Sequence, residues 1–407
     1  MGRRPGYGLR ARLTRSGWSL ARRDGLAGRQ RCFMEQPERV ALVHDRLDHS
    51  GGAERMLWTL HRMFPAAPIF TAMWNHDAVP QFRGCDVRTT WMQRLPGIRR
   101  SPRTYAAVYP LAFAGLRLSG YDLVISLTTS FAMGTRTDKG AVHVCYCNSP
   151  ANFVWRPQTY FRNGALRRLS TPLRAWLKAW DRRSANQPDL LVTSGPSVAD
   201  RIRACYGREA AIVAPPIDQF WFAPHRSNEF CLFVGRLVHN KRVDLAINAC
   251  KALGMPLWIV GAGRSSIGLR RLGGGNIRFL GRIADGELRE LYRRAVAVVV
   301  PAEEDFGLVS LEAQAAGTPV VAYDEGGSRG TVVDGITGIR FRPQTWEALA
   351  TAIRTAAHRT WDRTRITANA ARYSEGKFRG NLLSTIEHFR RAAPVLERNS
   401  WEHRHAI

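Results

Sequence analysis

Two glutamates, Glu304 and Glu312, have the residue type and spacing in this sequence that most clearly suggest chemistry. They stand in a segment that leads from an apolar run, residues 296–300, through an acidic turn into a short helix. The backbone N–H groups at a helix start beyond a strand bind anionic phosphate well. The two carboxylates can then accept hydrogen bonds from hydroxyl groups on either side of that phosphate. The arrangement suits a nucleotide sugar, which has hydroxyls, a diphosphate and more hydroxyls.

A second pair of residues with the chemistry to hold a diphosphate is Arg236 and Lys241, which follow the apolar run Phe230–Gly235. The glycine lets the backbone turn sharply. Two cations five residues apart can converge on one diphosphate, the Arg as a planar fork and the Lys as a point charge. In isolation they would be two solvated loop cations. Beside the Glu304–Glu312 segment we interpret them as a diphosphate site.

Two glycine-rich turns also follow predicted strands. Gly51 and Gly52 come after His44-Asp45 and open a helix that extends to Phe64, where backbone N–H groups can approach phosphate closely. Gly261 and Gly263 follow an apolar run, but a third glycine and an acidic ribose partner are missing at the required spacing. The sequence therefore argues against a dehydrogenase.

Together these segments resemble the retaining glycosyltransferases of family 4, which have the GT-B fold. The Glu304–Glu312 segment is similar to the family's E-x7-E signature. Its residues from Ala302 to Gly307 are especially similar to those of a mannosyltransferase-like branch, which acts in O-antigen and exopolysaccharide assembly. Residues 235–241 match the G-R-x4-K element. His44 to Glu54 resembles the family's opening motif.

The resemblance implies roles for individual residues. It gives catalytic roles to three residues, with the two cations on the leaving diphosphate and the glutamate on the transferred sugar: Arg236, Lys241 and Glu304. It places a larger set around the donor, with Glu312 on the ribose and Phe279 near the base: Gly51, Gly52, Gly261, Gly263, Gly281, Arg282, Phe306, Gly307, Leu308, Val309 and Glu312. It puts His44, Asp45, Asn148 and Asn152 on the acceptor side, although His44 also fits a core histidine. No metal and no other cofactor are expected.

Three positions depart from the family pattern. Asn148 stands where relatives have His, Asn152 where they have Arg, and Gly330 where they usually have Glu. Asn148 can still donate a hydrogen bond, but it cannot titrate. These departures keep open a non-catalytic protein that binds nucleotide sugar or a partner. The function that the resemblance implies is transfer of mannose from GDP-mannose to a lipid-linked or polysaccharide acceptor. Further alternatives are a UDP-sugar donor and a nucleotide-sugar epimerase.

The elements that must position these residues alternate between strand and helix in two blocks, which predicts an α/β protein with parallel sheets. The predicted domains are a Rossmann-like acceptor-side domain over 34–216, a nucleotide-sugar domain over 226–363 that faces it across a cleft, and a helical region over 364–407. By the resemblance, this last region returns to the first domain. Residues 1–33 contain nine arginines and one aspartate without apolar periodicity. We expect them to be disordered, or untranslated if Met34 is the true start.

The composition bears on partners. The chain has 407 residues and a formal charge of +27, of which residues 1–33 supply +8. The rest is spread over the folded part, so nucleic acid is not the expected partner. A basic, Trp-containing run over 166–183 predicts either a helix on an anionic lipid surface or a core-packed helix with a solvated face. A lipid-linked glycan acceptor would suit the first. Seven scattered cysteines indicate a reducing compartment, so we expect a cytoplasmic protein on the inner face of the plasma membrane.

Overall fold

In a computed structural model, residues 39–160, 168, 171–227 and 229–400 are described. The first block of the chain forms a seven-stranded parallel sheet with the order β3-β2-β1-β5-β7-β8-β9, and β4 pairs with β6 beside it. The strands are β1 (Val40–His44), β2 (Ile69–Thr71), β3 (Val87–Thr89), β4 (Arg117–Leu118), β5 (Leu123–Thr128), β6 (Arg136–Thr137), β7 (Val142–Cys147), β8 (Leu190–Thr193) and β9 (Ala211–Ile212).

The second block forms a six-stranded parallel sheet with the order β12-β11-β10-β13-β14-β15. Its strands are β10 (Phe230–Val234), β11 (Leu257–Val260), β12 (Ile277–Gly281), β13 (Ala295–Val300), β14 (Val320–Tyr323) and β15 (Gly338–Phe341). Counted within the block, this is the Rossmann order 3-2-1-4-5-6, and the first sheet follows the same rule from β1 outward. Ligands of such sheets bind beyond the carboxyl ends of the strands where the order reverses, here between β1 and β5 and between β10 and β13.

The described helices cover the faces of the two sheets. Those of the first block are α1 (Gly52–Met63), α2 (Tyr109–Gly115), α3 (Asn152–Trp155), α4 (Pro157–Tyr160), α5 (Thr171–Ser184) and α6 (Pro196–Tyr206). Those that follow are α7 (Val243–Ala252), α8 (Ser266–Leu272), α9 (Asp285–Arg294), α10 (Leu308–Ala315), α11 (Ser328–Thr331), α12 (Trp346–His358), α13 (Arg363–Ala371) and α14 (Glu375–Ser400). Short 3-10 turns span Pro80–Phe82, Trp91–Arg94, Pro102–Tyr105, Ala132–Gly134, Gln219–Trp221 and His239–Lys241.

The strands read as continuous apolar runs because helices bury both faces of the sheets. All six residues of β13, Ala-Val-Ala-Val-Val-Val, are buried. Alternate residues of this strand belong to different cores, with Ala297 and Val299 on one face and Val298 and Val300 on the other. Such two-sided burial is typical of parallel sheets. The predicted α/β class with two parallel sheets is therefore confirmed.

The last helix packs on the first sheet. Phe378, Leu382 and Ile386 of α14 belong to the buried core that contains Leu42 of β1 and Tyr146 of β7. The chain thus crosses from the second sheet back to the first before it ends. None of the described helices is both long and apolar enough to span a membrane. The predicted extension over 1–33 and the start of the predicted basic helix, including Arg167, lie outside the described residues.

Candidate functional site

The turn between β13 and α10 carries three consecutive carboxylates, and each is paired with a cation from a different element. Their pairs are Glu303 with Arg156, Glu304 with Lys241, and Asp305 with Arg201. The ammonium of Lys241 donates to both oxygens of Glu304, at 2.7 and 2.6 Å. Arg156 forms a two-pronged pair with Glu303, at 2.9 and 2.7 Å, which lowers the pKa of that carboxyl. Two of the three cations come from the first block of the chain.

Helix α10 begins with the geometry of an anion site. Gly307 has a φ of 100°, a backbone conformation that glycine adopts at little cost. The first internal hydrogen bonds of the helix run from Ser310 and Leu311 to the Gly307 carbonyl. The N–H groups of Leu308 and Val309 precede them, and N–H groups at this position of a helix can donate to an external acceptor such as an anion. Phe306 is half-buried against Tyr373, with 5.7 Å between the ring centroids.

The start of α1 faces the start of α10. A Cβ on Gly52 would lie 2.9 Å from Leu308 Cδ1, so only glycine fits there without a shift. The two glycine-containing turns therefore bring the starts of two helices together from the two sheets. Gly52 and Leu308 are thus neighbours, and their role in donor binding stays a prediction.

Glu312, in the interior of α10, is buried and has two partners. Arg55 Nη1 donates to Oε1 at 2.5 Å, and the Tyr292 hydroxyl donates to Oε2 at 2.8 Å. Burial raises the pKa of Glu312, and the charge of Arg55 only partly opposes this. Arg55 also binds Asp285 at 3.0 Å and lies over the ring of Trp221. A sugar hydroxyl that bonds to Glu312 must share this carboxylate with Arg55.

The second glycine-rich turn is packed backbone to backbone. A Cβ on Gly261 would lie 1.9 Å from the Gly235 carbonyl oxygen, and one on Gly263 would lie 2.2 Å from that of Leu237. The Gly261 N–H donates to the Gly281 carbonyl at 2.6 Å. These glycines thus hold the turn that carries Arg236.

Arg236 and Arg282 are both exposed, and they follow the carboxyl ends of β10 and β12, which flank β11 in the second sheet. Among the described residues, no carboxylate forms an ion pair with either of them. They are therefore available to a phosphate without displacing another group, unlike Lys241. Phe279 is half-buried, and the guanidinium of Arg270 lies 4.8 Å from its ring centroid.

His44 and Asp45 are buried and bonded to protein groups. His44 Nδ1 lies 3.1 Å from the Leu127 carbonyl, and Nε2 lies 3.4 Å from Glu54 Oε1. Burial opposes protonation of His44, but Glu54 outweighs it and raises its pKa. Asp45 accepts five hydrogen bonds from the loop after β5, at 2.7–3.0 Å. In this conformation both residues shape the loop, and acceptor contact by them stays a prediction.

The three departures from the family pattern have different surroundings in the structure. Asn148 follows β7, and its buried Nδ2 has no hydrogen-bond partner among the described residues. Asn152 Nδ2 donates to Ser149 Oγ at 3.3 Å. A Cβ on Gly330 would meet nothing within 4 Å, so this position has room for a side chain. An amide with a buried, unsatisfied donor calls for a polar partner.

Sequence reasoning missed several residues that complete the site. Arg55 directly follows the Gly-Gly-Ala-Glu turn, so its position at the helix start could have indicated that it lies near the site. Three adjacent carboxylates also signal that cations must lie near them. Which cations these are depends on the tertiary fold. The missed residues are Arg55, Arg156, Arg201, Asp285 and Tyr292.

One group of described residues has the make-up of a cation site. Asp48, His49 and Glu54 place three potential ligand atoms within 4.8 Å of one another. Asp48 is already bonded to His49 at 2.6 Å and to Arg46 at 3.0 Å, and these partners lower its pKa to about 2 against the opposing effect of burial. Ion pairs within the protein account for the cluster.

Part of the chain is similar to known proteins. Residues 218–373 match the family described as glycosyl transferases group 1. The glycogen synthase of Mycobacterium tuberculosis is 34% identical over 216 residues, which are 47% of this chain and 49% of that protein. The D-inositol 3-phosphate glycosyltransferase of Actinosynnema mirum is 33% identical over 231 residues, 44% of this chain and 55% of that protein. The chain thus spans about half the length of the curated relatives it matches.

Solved structures show the same fold. HepE from Anabaena, in complex with UDP-glucose, has a TM-score of 0.64 at 18% identity, over 86% of this chain and 99% of that one. WaaG, a glycosyltransferase involved in lipopolysaccharide biosynthesis, has a TM-score of 0.58 at 19% identity, over 82% of this chain and 93% of that one. The fold is therefore GT-B, with two Rossmann-like domains.

Proposed function

With the GT-B fold and a group 1 glycosyltransferase match as the premise, we propose that this protein is a retaining glycosyltransferase that uses a nucleotide sugar. The observation that carries the proposal is the Lys241–Glu304 pair beside the start of α10, with the exposed Arg236 at the end of β10, the strand next to β13. These groups combine phosphate-binding and hydroxyl-binding chemistry where the strand order of the second sheet reverses. Intact cations and carboxylates favour catalysis over a binding-only protein, despite Asn148 and Asn152.

The proposed mechanism is mainly electrostatic. Transfer of a glycosyl group passes through an oxocarbenium-like state while negative charge grows on the leaving diphosphate. Arg236, Lys241 and the N–H groups at the start of α10 stabilise that charge. Glu304 binds the transferred sugar and Glu312 the ribose. The acceptor hydroxyl attacks the same face of the sugar, and its proton passes to the leaving phosphate, so no protein nucleophile is needed.

The proposed donor is GDP-mannose, because the residues Glu303–Gly307 resemble those of the mannosyltransferase-like branch. The UDP and UDP-glucose complexes of HepE make a UDP-sugar the second candidate. We expect GDP-mannose and GDP to raise the Tm of the protein, and Arg236→Ala and Glu312→Ala to lose that shift. A thermal-shift panel of GDP-, UDP- and ADP-sugars measures this. If only UDP compounds raise the Tm, the donor is a UDP-sugar and not GDP-mannose. If the protein is well folded and no nucleotide raises its Tm, the proposal that it is an enzyme is contradicted.

The proposed reaction needs no divalent metal, because cationic side chains and backbone N–H groups serve the diphosphate. We expect transfer to be the same in EDTA as in buffer containing Mg²⁺ or Mn²⁺. Initial rates after extensive chelation and dialysis check this. A large loss in EDTA that added metal restores would show that the cations of the protein are not sufficient.

The proposed acceptor is a lipid-linked or polysaccharide glycan, and the proposed location is the inner face of the plasma membrane. The sequence holds no acidic residue between Asp138 and Asp181. Within this stretch, α5 exposes Leu173 and Trp176 beside Lys178. Exposed apolar side chains flanked by cations suit an anionic lipid surface, to which each cation contributes about 1 kcal/mol.

We expect the protein to float with vesicles that contain phosphatidylglycerol, and this binding to weaken with salt. Leu173→Ser/Trp176→Ser should reduce the bound fraction several-fold, since it removes the apolar contact. Ile267→Ser/Leu272→Ser is the matched control, as both residues are exposed apolar side chains on α8 of the other domain. If the two double variants float equally, Leu173 and Trp176 of α5 are not the membrane contact.

A further inference from the structure

A cavity of about 280 Å³ lies beside the acidic turn, on the side of the first sheet. Its lining combines apolar residues such as Trp155 and Ala204 with five polar or charged side chains: Asn152, Arg156, Ser197, Arg201 and Glu303. Its volume is just below the usual range for sites that bind a whole small molecule, about 300–1,000 Å³. The cavity suits one chemical group or one sugar ring of a larger ligand.

Arg201 is the residue in this cavity whose bonding is incomplete. Its Nη2 donates to Asp305 Oδ1 at 2.5 Å, while Nε and Nη1 are buried without a hydrogen-bond partner among the described residues. Only 18% of the side chain is exposed. Buried donors in folded proteins are nearly always bonded, and an unmet donor on a charged group is costly. A ligand with oxygen acceptors would complete the bonding of Arg201.

The charged side chains of the cavity favour a ligand group that is anionic and accepts hydrogen bonds. Among the described residues that line the cavity, Glu303 is the one carboxylate, and Arg156 donates to both of its oxygens. The other charged groups in the lining are guanidinium groups, which bind phosphate and carboxylate oxygens with charge-assisted hydrogen bonds. Asn152 and Ser197 add neutral polar groups at the same cavity.

We propose that this cavity binds an oxyanion, a phosphate or carboxylate group, of the acceptor substrate. The inference rests on the proposed function, because it takes the acceptor to lie on the side of the first sheet. Except for Glu303, every lining residue belongs to that sheet's domain, within residues 150–205. The cations assigned to the donor diphosphate, Arg236 and Lys241, do not line the cavity. The oxyanion is therefore the acceptor's own group and not the donor's diphosphate.

Inorganic phosphate is the probe, titrated by calorimetry with the donor site saturated by the nucleotide that gives the largest Tm shift. We expect Arg201→Gln to weaken phosphate binding about 10-fold or more, the value of a lost charge-assisted hydrogen bond. Arg203→Gln is the control on the same helix, since Arg203 is exposed and pairs with Glu209 and Asp200. It should change the affinity less than about 2-fold.

Two further variants separate the outcomes. Lys241→Met should leave phosphate affinity unchanged. If phosphate affinity falls in Lys241→Met but not in Arg201→Gln, the phosphate binds at the donor site and the proposal is overturned.

Asp305→Asn removes the carboxylate that competes for Arg201, so phosphate should bind more tightly. Weaker phosphate binding by this variant would also overturn the proposal. If no nucleotide binds, the titration is run without one, so failure of the proposed function is seen separately. Absence of phosphate binding by a folded protein overturns the inference alone.

Discussion

Lys241→Met is expected to reduce the rate of glycosyl transfer about 100- to 1,000-fold, or roughly 3–4 kcal/mol in the barrier. The ammonium of Lys241 donates to both oxygens of Glu304, next to the start of α10. In the proposed reaction it stabilises charge that develops on the leaving diphosphate, so its loss should lower kcat more than it raises KM. Steady-state kinetics with the donor identified by thermal shift measures both constants.

Lys251→Met is the matched control for this variant. Lys251 is exposed in α7 of the same domain, and its ammonium donates to the Leu272 carbonyl at 3.0 Å. It should transfer sugar at the wild-type rate. If the kcat of Lys241→Met stays within about 3-fold of the wild-type value at saturating donor, Lys241 does not stabilise the leaving group. Retained Tm of the variant shows that the loss of rate does not come from unfolding.

Asp181→Asn is expected to stabilise the protein at alkaline pH. Asp181 is 2% exposed, and its Oδ2 accepts from Trp155 Nε1 at 2.6 Å and from the Tyr206 hydroxyl at 2.8 Å. Burial raises its pKa from 3.8 to about 7, more than these hydrogen bonds lower it. The folded state therefore binds the proton more tightly than the unfolded state, and stability falls as pH rises from about 4 to about 7.

The asparagine removes this dependence because it carries no charge at any pH. Its gain in the free energy of unfolding should be roughly 3–4 kcal/mol at pH 8 and under about 2 kcal/mol at pH 5. Urea unfolding at both pH values measures it, with Asp200→Asn on the exposed face of α6 as the control. Equal destabilisation by Asp181→Asn at pH 5 and pH 8 would mean that the buried carboxylate is charged and needed.

The central part of the site could be predicted because its residues are close in sequence. Glu304 and Glu312 bracket one helix start, and Arg236 and Lys241 flank one turn, so local patterns describe both pairs. Their meeting also follows from the sheet, since β10 and β13 are neighbours at the point where the strand order reverses. The Lys241–Glu304 pair is the contact that this rule anticipates.

The remaining contacts depend on residues far apart in the chain. Arg156 and Glu303 are 147 residues apart, and Arg55 and Glu312 are 257 apart. No local pattern selects these cations from the many arginines of a chain with 60 Lys and Arg residues. The strands β3, β4, β6, β9 and β15 were not predicted either. They have two to four residues and lie near sheet edges, where apolar periodicity is too short to detect.

The pairing of Lys241 with Glu304 bears on how the products of the proposed reaction leave. A nucleotide sugar offers a new partner to each residue at once, diphosphate oxygens to Lys241 and sugar hydroxyls to Glu304. After transfer, the nucleotide that remains has no sugar, and Glu304 regains the ammonium as its best partner. Re-formation of this pair at 2.6–2.7 Å then competes with the spent nucleotide for Lys241. The same contact therefore favours retention of the intact donor and departure of its leaving group, which promotes turnover.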